Sequence, residues 1–333
     1  MFEGMKTIMF ILFGLLVEGS EVEAQEFTVM FYNTENLFDT VDDTLTDDEE
    51  FLPGGERRWT NYRYWKKIEA LSRVIVAAGE WDAPYLVGLC EVENRNVAVD
   101  LANRSLLANA GYSLVHRESP DSRGIDPALI YRSQYVRVIE SRAWIPPAVA
   151  GEVFDSRNLL YVKTLIMGDT LHLILCHWPS RRGGVLAAER LREAVASLVI
   201  SKIDSIQTDA GGRASVIVMG DFNSGPDEPV MVELATASRM VNLSAAMAQK
   251  GQGSYRYRGR WEMIDQILVS DMMVTQNGPF STMSQEFSVL DNTFLLEDDP
   301  DYPGKRPVAT YRAYKWEGGY SDHLPVLVMV RHR

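Results

Sequence analysis

The chain has 333 residues, of which 46% are hydrophobic, so it contains enough apolar side chains for a sizeable folded core. Its formal net charge of -13 argues against a protein held to nucleic acid by a large basic surface, because that mode of binding neutralises many phosphates. The charge leaves an enzyme open, since bound divalent cations can supply the local positive charge of a site.

The N-terminus has the pattern of a secretory signal peptide. Lys6 precedes an apolar run over residues 7–17, which is too short for a comfortable membrane span, and the small residue Ala24 follows. We expect a signal peptide over residues 1–25 and one domain over residues 26–333, since no flexible linker marks a boundary. A retained membrane anchor is the alternative, because glutamates are unusual near a cleavage site. The expected location is secreted or periplasmic, without stable membrane association after cleavage.

Both cysteines, Cys90 and Cys176, lie inside apolar runs. We interpret them as small buried core residues. A disulfide is the alternative in an oxidising compartment, although a chain of this size does not need one to fold. Neither cysteine has the ligand spacing of a zinc site.

The first quarter of the mature chain carries two predicted strands that end in polar residues. Residues 27–33 form the first strand, which ends at Asn33. Apolar residues at helical spacing predict a packing helix over 59–78. A buried strand over 85–90 follows and presents Glu91 at its end.

A second helix is predicted over residues 96–109. Beyond it, strands over 112–116 and 128–131 bracket a polar loop. Asp126 lies at the end of this loop, just before the second strand.

A β-hairpin is predicted from the runs 157–165 and 170–176, because Gly and Asp stand at the turn between them. Its second strand presents His177. Arg157 and Arg181 lie near predicted strand ends and could bind a phosphate, since one guanidinium group can donate two parallel hydrogen bonds to two phosphate oxygens. A solvated basic loop is the alternative.

A long amphipathic helix over 185–206 leads to a buried strand over 216–219, which ends in a turn-forming cluster. Asp221 and Asn223 stand there two residues apart, so on an extended backbone both side chains project to the same side. Taken alone, this pair could be ordinary turn chemistry.

The last third of the chain adds a strand over 264–269, near whose start Asp265 lies. Asp322 and His323 precede the final strand, 326–330. The stretch 255–261 interleaves aromatic and basic residues, a composition that suits either a substrate rim or a hairpin that packs on the sheets.

Carboxylates, carboxamides and imidazoles therefore recur at predicted strand ends: Asn33, Glu91, His177, Asp221, Asn223, Asp265, Asp322 and His323. This mixture suits a site where a hard cation polarises a phosphate and water attacks it. Acyl transfer would require a serine or cysteine beside a base, and none is placed that way.

These residues lie in short motifs whose order resembles the endonuclease/exonuclease/phosphatase superfamily. Members include pancreatic deoxyribonuclease, abasic-site endonucleases, bacterial sphingomyelinases and inositol polyphosphate 5-phosphatases. The motifs are the strand ending at Asn33, Leu89–Val92, Cys176–Trp178, Gly220–Asn223, Ile264–Leu268 and Ser321–Pro325. The resemblance covers nearly the whole mature chain and indicates a secreted, deoxyribonuclease-like bacterial member. It implies a four-layer α/β sandwich, in which two mixed β-sheets pack face to face with helices on the outside.

The resemblance also implies a metal side to the site. Glu91 would be the principal metal ligand, with Asn33 and Asp322 near the same cation, which is expected to be Mg²⁺ or Mn²⁺.

Catalytic roles follow from the same resemblance. Asp221 would orient or deprotonate the attacking water, and Asn223 would bind the scissile phosphate. His323, held by Asp265, would stabilise the charge of the transition state. His177 matches the second histidine of the deoxyribonuclease and sphingomyelinase branches, for which Asp126 is the candidate acidic partner.

The predicted function is a metal-dependent phosphoester hydrolase, first of all a nuclease acting on DNA or RNA and working as a monomer. Lipid or sugar phosphates, as in the sphingomyelinase and inositol phosphatase branches, are the alternative substrates. A non-catalytic binding module is a further alternative, against which the presence of both histidines and the metal-side carboxylates argues.

Overall fold

The computed structural model describes residues 25–79, 82–149, 156–180 and 184–333. The predicted signal peptide lies outside the described residues except for Gln25, and Arg181 also lies outside them. The helices, in chain order, are α1 Asn61–Ala78, α2 Arg95–Asn103, α3 Val185–Asp209, α4 Pro229–Ala237, α5 Ala245–Ala248 and α6 Asp271–Val274.

The strands are β1 Gln25–Leu37, β2 Leu86–Val92, β3 Tyr112–His116, β4 Asp126–Arg132, β5 Val136–Trp144, β6 Leu159–Ile166, β7 Asp169–His177, β8 Ser215–Asp221, β9 Met240–Asn242, β10 Tyr255–Tyr257, β11 Arg260–Glu262, β12 Asp265–Ser270, β13 Phe280–Ser281, β14 Phe287–Val289, β15 Leu296–Asp298, β16 Lys305–Pro307, β17 Tyr311–Arg312, β18 Lys315–Trp316 and β19 Val326–His332.

Two large sheets hold most of these strands. The first has the order β13-β19-β1-β2-β4-β3, with β14 also paired to β19, and the second has the order β5-β6-β7-β8-β12-β9. Each sheet contains one parallel pair, β1 with β2 and β7 with β8, among antiparallel neighbours. Three short ribbons, β10-β11, β15-β16 and β17-β18, lie outside the sheets.

The two sheets pack face to face through one hydrophobic core. Phe31 and Cys90 of the first sheet share this core with Leu175 and Met219 of the second. Because strand side chains alternate between faces, the intervening residues point outward to the helices. The helices α1 and α2 cover the outer face of the first sheet, and α3 and α4 cover that of the second. The predicted four-layer α/β sandwich is confirmed.

The predicted elements differ from the structure mainly at their ends. The helix predicted over 96–109 ends at Asn103, where Ser105 donates a hydrogen bond to the Leu101 carbonyl in place of further helical bonds. The strand β5 was not predicted, because it is an edge strand with two exposed arginines, Arg137 and Arg142, and a register irregularity between Val138 and Glu140.

Cys90 and Cys176 are both free and buried, in the inner core and in the outer core under α3 respectively. Their interpretation as core residues is confirmed. None of the helices in the described part of the chain combines the length and apolar content that crossing a bilayer requires.

Candidate functional site

The predicted site residues converge at one end of the interface between the sheets. Asn33 follows the inward-facing side chains of β1, and Asp221 follows those of β8. The Asn33 Nδ2 atom donates a hydrogen bond to Asp221 Oδ2 at 3.1 Å, although 188 positions separate the two residues. The two sheets therefore bring these strand ends together.

Strand pairing in the second sheet sets three site residues side by side. The parallel register of β7 and β8 pairs His177 with Asp221, and the antiparallel register of β12 and β8 pairs Asp265 with Asp221. Gly220 makes this close packing possible, because a Cβ atom there would lie 2.3 Å from the Cys176 carbonyl oxygen. The glycine before Asp221 is thus a packing requirement of the site.

His323 and Asp265 form a buried hydrogen-bonded pair. His323 Nδ1 lies 2.7 Å from Asp265 Oδ2, and the Ser254 hydroxyl donates to the same oxygen at 2.6 Å. Burial alone would lower the pKa of His323, but the Asp265 carboxylate raises it well above its usual range. The ring of Tyr255 packs against the imidazole at 4.7 Å between centroids. His323 is therefore a positively charged group with a fixed orientation.

Asp221 and Asn223 form the next part of the site. The backbone N–H of Asn223 donates to Asp221 Oδ1 at 2.9 Å, and Asn223 Nδ2 donates to the Trp178 carbonyl at 3.0 Å. Burial, followed by repulsion from Asp265, raises the pKa of Asp221 to about 7. A carboxyl group of this kind can exchange a proton near neutral pH.

Glu91 reaches the site through a break in strand pairing. The register of β1 with β2 shifts after Asn33, and Glu91 itself has a φ of 61°. Its Oε2 accepts the backbone N–H of Asn36 at 2.8 Å, and its Oε1 lies 3.7 Å from His177 Nε2. Burial opposes ionisation, yet the cations Arg123 and His323 lower the pKa of Glu91. Glu91 is therefore an ionised carboxylate.

The predicted metal side has the donor chemistry of a magnesium or manganese site. Glu91 and Asp322 both line the cleft, and both supply hard carboxylate oxygens. Asn33 lies behind them and carries a carboxamide oxygen, Oδ1, which accepts the Glu35 N–H at 2.9 Å. Asp322 Oδ1 lies 4.0 Å from His323 Nε2, and the hydroxyl of Ser321 donates to the Asn33 carbonyl at 2.7 Å. Because these like-charged carboxylates face one cleft, a cation would relieve their repulsion, so the residues fit the ion.

The cleft itself has a volume of about 560 Å³. The residues that line it are Asn36, Glu91, Arg123, His177, Ser180, Asp221, Asn223, Tyr255, Tyr257, Glu262, Ile264, Asp322 and His323. Asn33 and Asp265 lie directly behind the cleft, where they contact Asp221 and His323 respectively.

Two sequence-predicted residues have other contacts. The guanidinium of Arg157 is buried and donates to Asp121 Oδ2 at 2.9 Å and to the Trp178 carbonyl at 3.1 Å, so substrate binding by Arg157 stays a prediction. Asp126 accepts the backbone N–H of Ser119 and lies 4.0 Å from His116 Nε2. The described ion pairs of His177 are to Glu91 and Asp221.

Two cationic residues of the site were not singled out from the sequence. Arg123 lines the cleft, donates to Asn36 Oδ1 at 2.8 Å and lies 3.9 Å from Glu91 Oε1. Lys67 is buried under the segment that carries Asp322, where it donates to the Tyr320 carbonyl at 2.6 Å. A lysine on the apolar face of a predicted helix was a usable signal for Lys67. Arg123 had none, because it lies in an irregular loop.

Comparisons with known proteins give a family and a fold. The model of the Endonuclease/Exonuclease/phosphatase family matches residues 28–332. No curated protein matches the chain. The structure is similar to that of a mannosyl-6-phosphatase from Bacteroides thetaiotaomicron, with a TM-score of 0.58 and 17% identity over 91% of this chain and 99% of that one.

Two further solved structures have the same fold. The human nocturnin catalytic domain with bound sulfate gives a TM-score of 0.56 and 16% identity over 92% of this chain and 95% of that one. TDP2 from D. rerio, complexed with a single-strand DNA product, gives a TM-score of 0.55 and 16% identity over 92% of this chain and 98% of that one.

Proposed function

The chain belongs to the endonuclease/exonuclease/phosphatase family, whose members hydrolyse phosphoester bonds, and we propose from this premise that it is a divalent-metal-dependent hydrolase in which water is the nucleophile. The observation that supports the proposal is the contact between the sheets at Asn33 and Asp221, because it joins a residue proposed for the metal side to the residue proposed to activate water, beside one cleft. No serine or cysteine nucleophile is needed for such a reaction.

Asp221 is the proposed base. Its buried carboxylate, whose pKa is raised to about 7, can orient the attacking water and accept its proton. Asn223 lies beside it in a left-handed backbone conformation with a φ of 49°, and its amide can donate to a phosphate oxygen.

His323 is the proposed stabiliser of developing charge. Its Nδ1 is hydrogen-bonded to Asp265, so Nε2 is the ring nitrogen available to a substrate in the cleft. There it can donate a proton or a hydrogen bond to a phosphate oxygen. His177, 3.8 Å from Asp221 Oδ2, supports the same pocket. Arg123 adds a guanidinium that can bind a second phosphate oxygen.

Glu91, Asp322 and Asn33 would hold the Mg²⁺ or Mn²⁺ ion. When bound, such an ion polarises the phosphate and offsets the charge that builds up during attack. With the ion held there, these residues would present local positive charge to an anionic substrate, although the chain as a whole carries a net charge of -13.

The first substrate hypothesis is DNA or RNA. Tyr255 and Tyr257 line the cleft, and 48% of Tyr257 is exposed, so a ring is available on which a base can stack. The solved TDP2 structure contains a single-strand DNA product, which is a property of that protein. Sugar or lipid phosphates are the alternative substrates.

A panel assay tests the proposal. Purified protein is incubated with single- and double-stranded DNA, RNA, bis-p-nitrophenyl phosphate, mannose 6-phosphate, inositol phosphates and sphingomyelin, each with Mg²⁺, with Mn²⁺ and with EDTA. We expect EDTA-sensitive hydrolysis of nucleic acid and of the artificial diester. Turnover of the monoesters or of sphingomyelin alone would contradict the nuclease hypothesis. If none of the compounds is hydrolysed in an EDTA-sensitive reaction, the hydrolase proposal is contradicted and the binding-module alternative remains.

Glu91→Ala tests the metal side in the same assay. We expect loss of metal-dependent turnover, because the variant removes the ionised carboxylate of the cleft. The matched control is Glu193→Gln, whose exposed carboxylate lies on α3, on the outer face of the second sheet. Wild-type rates for Glu91→Ala would overturn the ligand role.

We further propose that the chain acts as a secreted or periplasmic monomer after cleavage near Gln25. Cell fractionation, N-terminal sequencing of the product and light scattering test these three statements separately. An intact N-terminus in the membrane fraction would favour the anchor instead.

A further inference from the structure

A second group of side chains with the chemistry of metal ligands lies outside the cleft. His116 is the last residue of β3, Asp126 is the first residue of β4, and Glu118 follows His116 by two positions. One ligand atom from each of the three lies within 4.8 Å of the other two. Together they close the base of the loop 117–125.

Two buried polar atoms in this group have no partner among the described residues. Asp126 is 1% exposed, and its Oδ1 makes no hydrogen bond. His116 is 9% exposed, and its Nε2 likewise makes none, although it faces Asp126 Oδ2 at 4.0 Å. Burying polar atoms without partners is unfavourable, because the water that solvated them in the unfolded chain is lost. A cation held between His116 Nε2 and the Asp126 carboxylate would give the imidazole nitrogen a partner.

We propose that His116, Glu118 and Asp126 form a second metal site, which binds a divalent transition-metal ion of the zinc class. One imidazole nitrogen with two carboxylates is a ligand set that zinc and its neighbours accept, whereas calcium and magnesium prefer oxygen ligands alone. The site is separate from the cleft, and it does not depend on the hydrolase proposal.

The three side chains lie near one another but are not yet at ligand distance. Ligand atoms about 2.1 Å from a tetrahedral zinc ion lie about 3.4 Å apart, so the gap of 4.0 Å between His116 Nε2 and Asp126 Oδ2 must close by about 0.6 Å on binding. Glu118 Oε1 lies 3.5 Å from Nδ1, the other ring nitrogen of His116, so the Glu118 side chain must turn toward Nε2 to share an ion with it. Glu118 is the adjustable ligand, because 68% of its side chain is exposed. Its backbone is anchored, since Asn158 Nδ2 donates to the Glu118 carbonyl at 3.4 Å.

The position of this site gives it a structural task. The loop that it closes carries Asp121, which binds Arg157, and Arg123, which lines the catalytic cleft. A metal ion that joins the two ends of this loop reduces the number of conformations open to it. Zinc binding would therefore hold Arg123 at the cleft.

Zinc titration of the Glu91→Gln protein tests the proposal, because this background weakens metal binding in the cleft. Isothermal titration calorimetry and the metal content after gel filtration measure binding. We expect about one equivalent of Zn²⁺, a higher Tm with Zn²⁺, and slower proteolysis within residues 117–125. Ca²⁺ at the same concentration should produce none of these three effects.

Added ligand substitutions decide the location of the ion. Asp126→Asn in this background should lower zinc affinity at least about tenfold, and Glu118→Gln should do so without a risk to folding, because its side chain is exposed. Glu193→Gln is the matched exposed control and should bind as the parent does. The proposal is overturned by an absence of zinc binding in the parent, or by equal zinc affinity in the parent and in Glu118→Gln.

Discussion

Two buried histidine–aspartate pairs of this protein have opposite electrostatics. In the cleft, His323 Nδ1 and Asp265 Oδ2 lie 2.7 Å apart and share a hydrogen bond. At the base of the 117–125 loop, His116 Nε2 and Asp126 Oδ2 lie 4.0 Å apart and share none. The same two residue types are thus placed in contact at one end of the molecule and held apart at the other.

The separation decides the charge state of each pair. Burial would lower the pKa of His323, but contact with Asp265 raises it well above its usual range. In the other pair, burial lowers the pKa of His116 to about 4 and raises that of Asp126 to about 7. Burial disfavours every isolated charge, and a hydrogen-bonded partner overcomes it. The comparison indicates an orienting pair in the cleft and an uncompensated pair at the loop.

The largest expected effect is that of His323→Ala. We expect kcat for bis-p-nitrophenyl phosphate to fall by about 10²- to 10⁴-fold, because the positioned imidazole is lost. Steady-state kinetics with Mg²⁺ measures the change, and circular dichroism checks the fold. His116→Gln is the control from the other pair and should retain kcat within about threefold. A wild-type kcat for His323→Ala would remove the residue from the proposed mechanism.

A smaller loss is expected for Asp265→Asn, which keeps His323 but removes the carboxylate that orients it. We predict a fall in kcat of about 10- to 100-fold with little change in KM, since Asp265 lies behind the cleft and does not line it. Asp126→Asn, measured alongside, should leave kcat almost unchanged. Equal losses in the two variants would show that the pairs do not differ in function.

Arg123→Gln tests the connection between the two regions, because Arg123 belongs to the 117–125 loop and lines the cleft. We expect KM to rise about tenfold, which corresponds to the loss of one charge-assisted hydrogen bond to phosphate. Arg117→Gln is the control, since Arg117 is exposed in the same loop and contacts Ser141. Unchanged KM for Arg123→Gln would contradict substrate binding by this residue.

The smallest effect concerns stability, at a third histidine. Burial lowers the pKa of His172 to about 4, whereas the unfolded chain protonates it near 6.5. The folded state then binds fewer protons, so the free energy of unfolding falls as the pH drops from about 6.5 through about 4. We expect the decrease in the free energy of unfolding over this pH range to be smaller by about 1–2 kcal/mol in His172→Gln than in the wild type.

Urea unfolding at pH 7.5 and pH 4.5 measures that difference for His172→Gln and for the wild type. The hydrogen bond between Tyr161 Oη and His172 Nδ1, at 2.8 Å, can be replaced in part by the glutamine amide. An identical change with pH in both proteins would show that His172 does not titrate in this range.

The sequence predicted most elements because their signals are local. The apolar run of β8 and the turn residues after it predict a strand that ends near Asp221, and the structure has that strand. The edge strand β5 was missed, because its exposed face and its irregular register weaken the alternation of apolar residues. Helix α2 was predicted too long for a different reason. Ser105 donates its hydroxyl to the Leu101 carbonyl just beyond the end of the helix, and the helical spacing of the sequence does not reveal this bond.

The candidate site was predicted in its residues but not in its contacts. Asn33, Asp221 and His323 could be named from strand ends and motif order, since each stands beside a recognisable apolar run. No local sequence pattern indicates that the Arg157 guanidinium donates to Asp121, or that Asp126 lies beside His116. These are pairings between loops that are distant in sequence.

The sequence by itself determined the strands and helices, their apolar faces and the residue types at the strand ends, because period-2 and period-3.6 patterns follow from backbone geometry. Only the tertiary structure decided which of those residues meet. The 2.7 Å contact of His323 with Asp265 and the 4.0 Å gap between His116 and Asp126 depend on how the two sheets and their loops pack. Burial and charge respond to such distances, so the chemistry of each pair is a property of the packed fold.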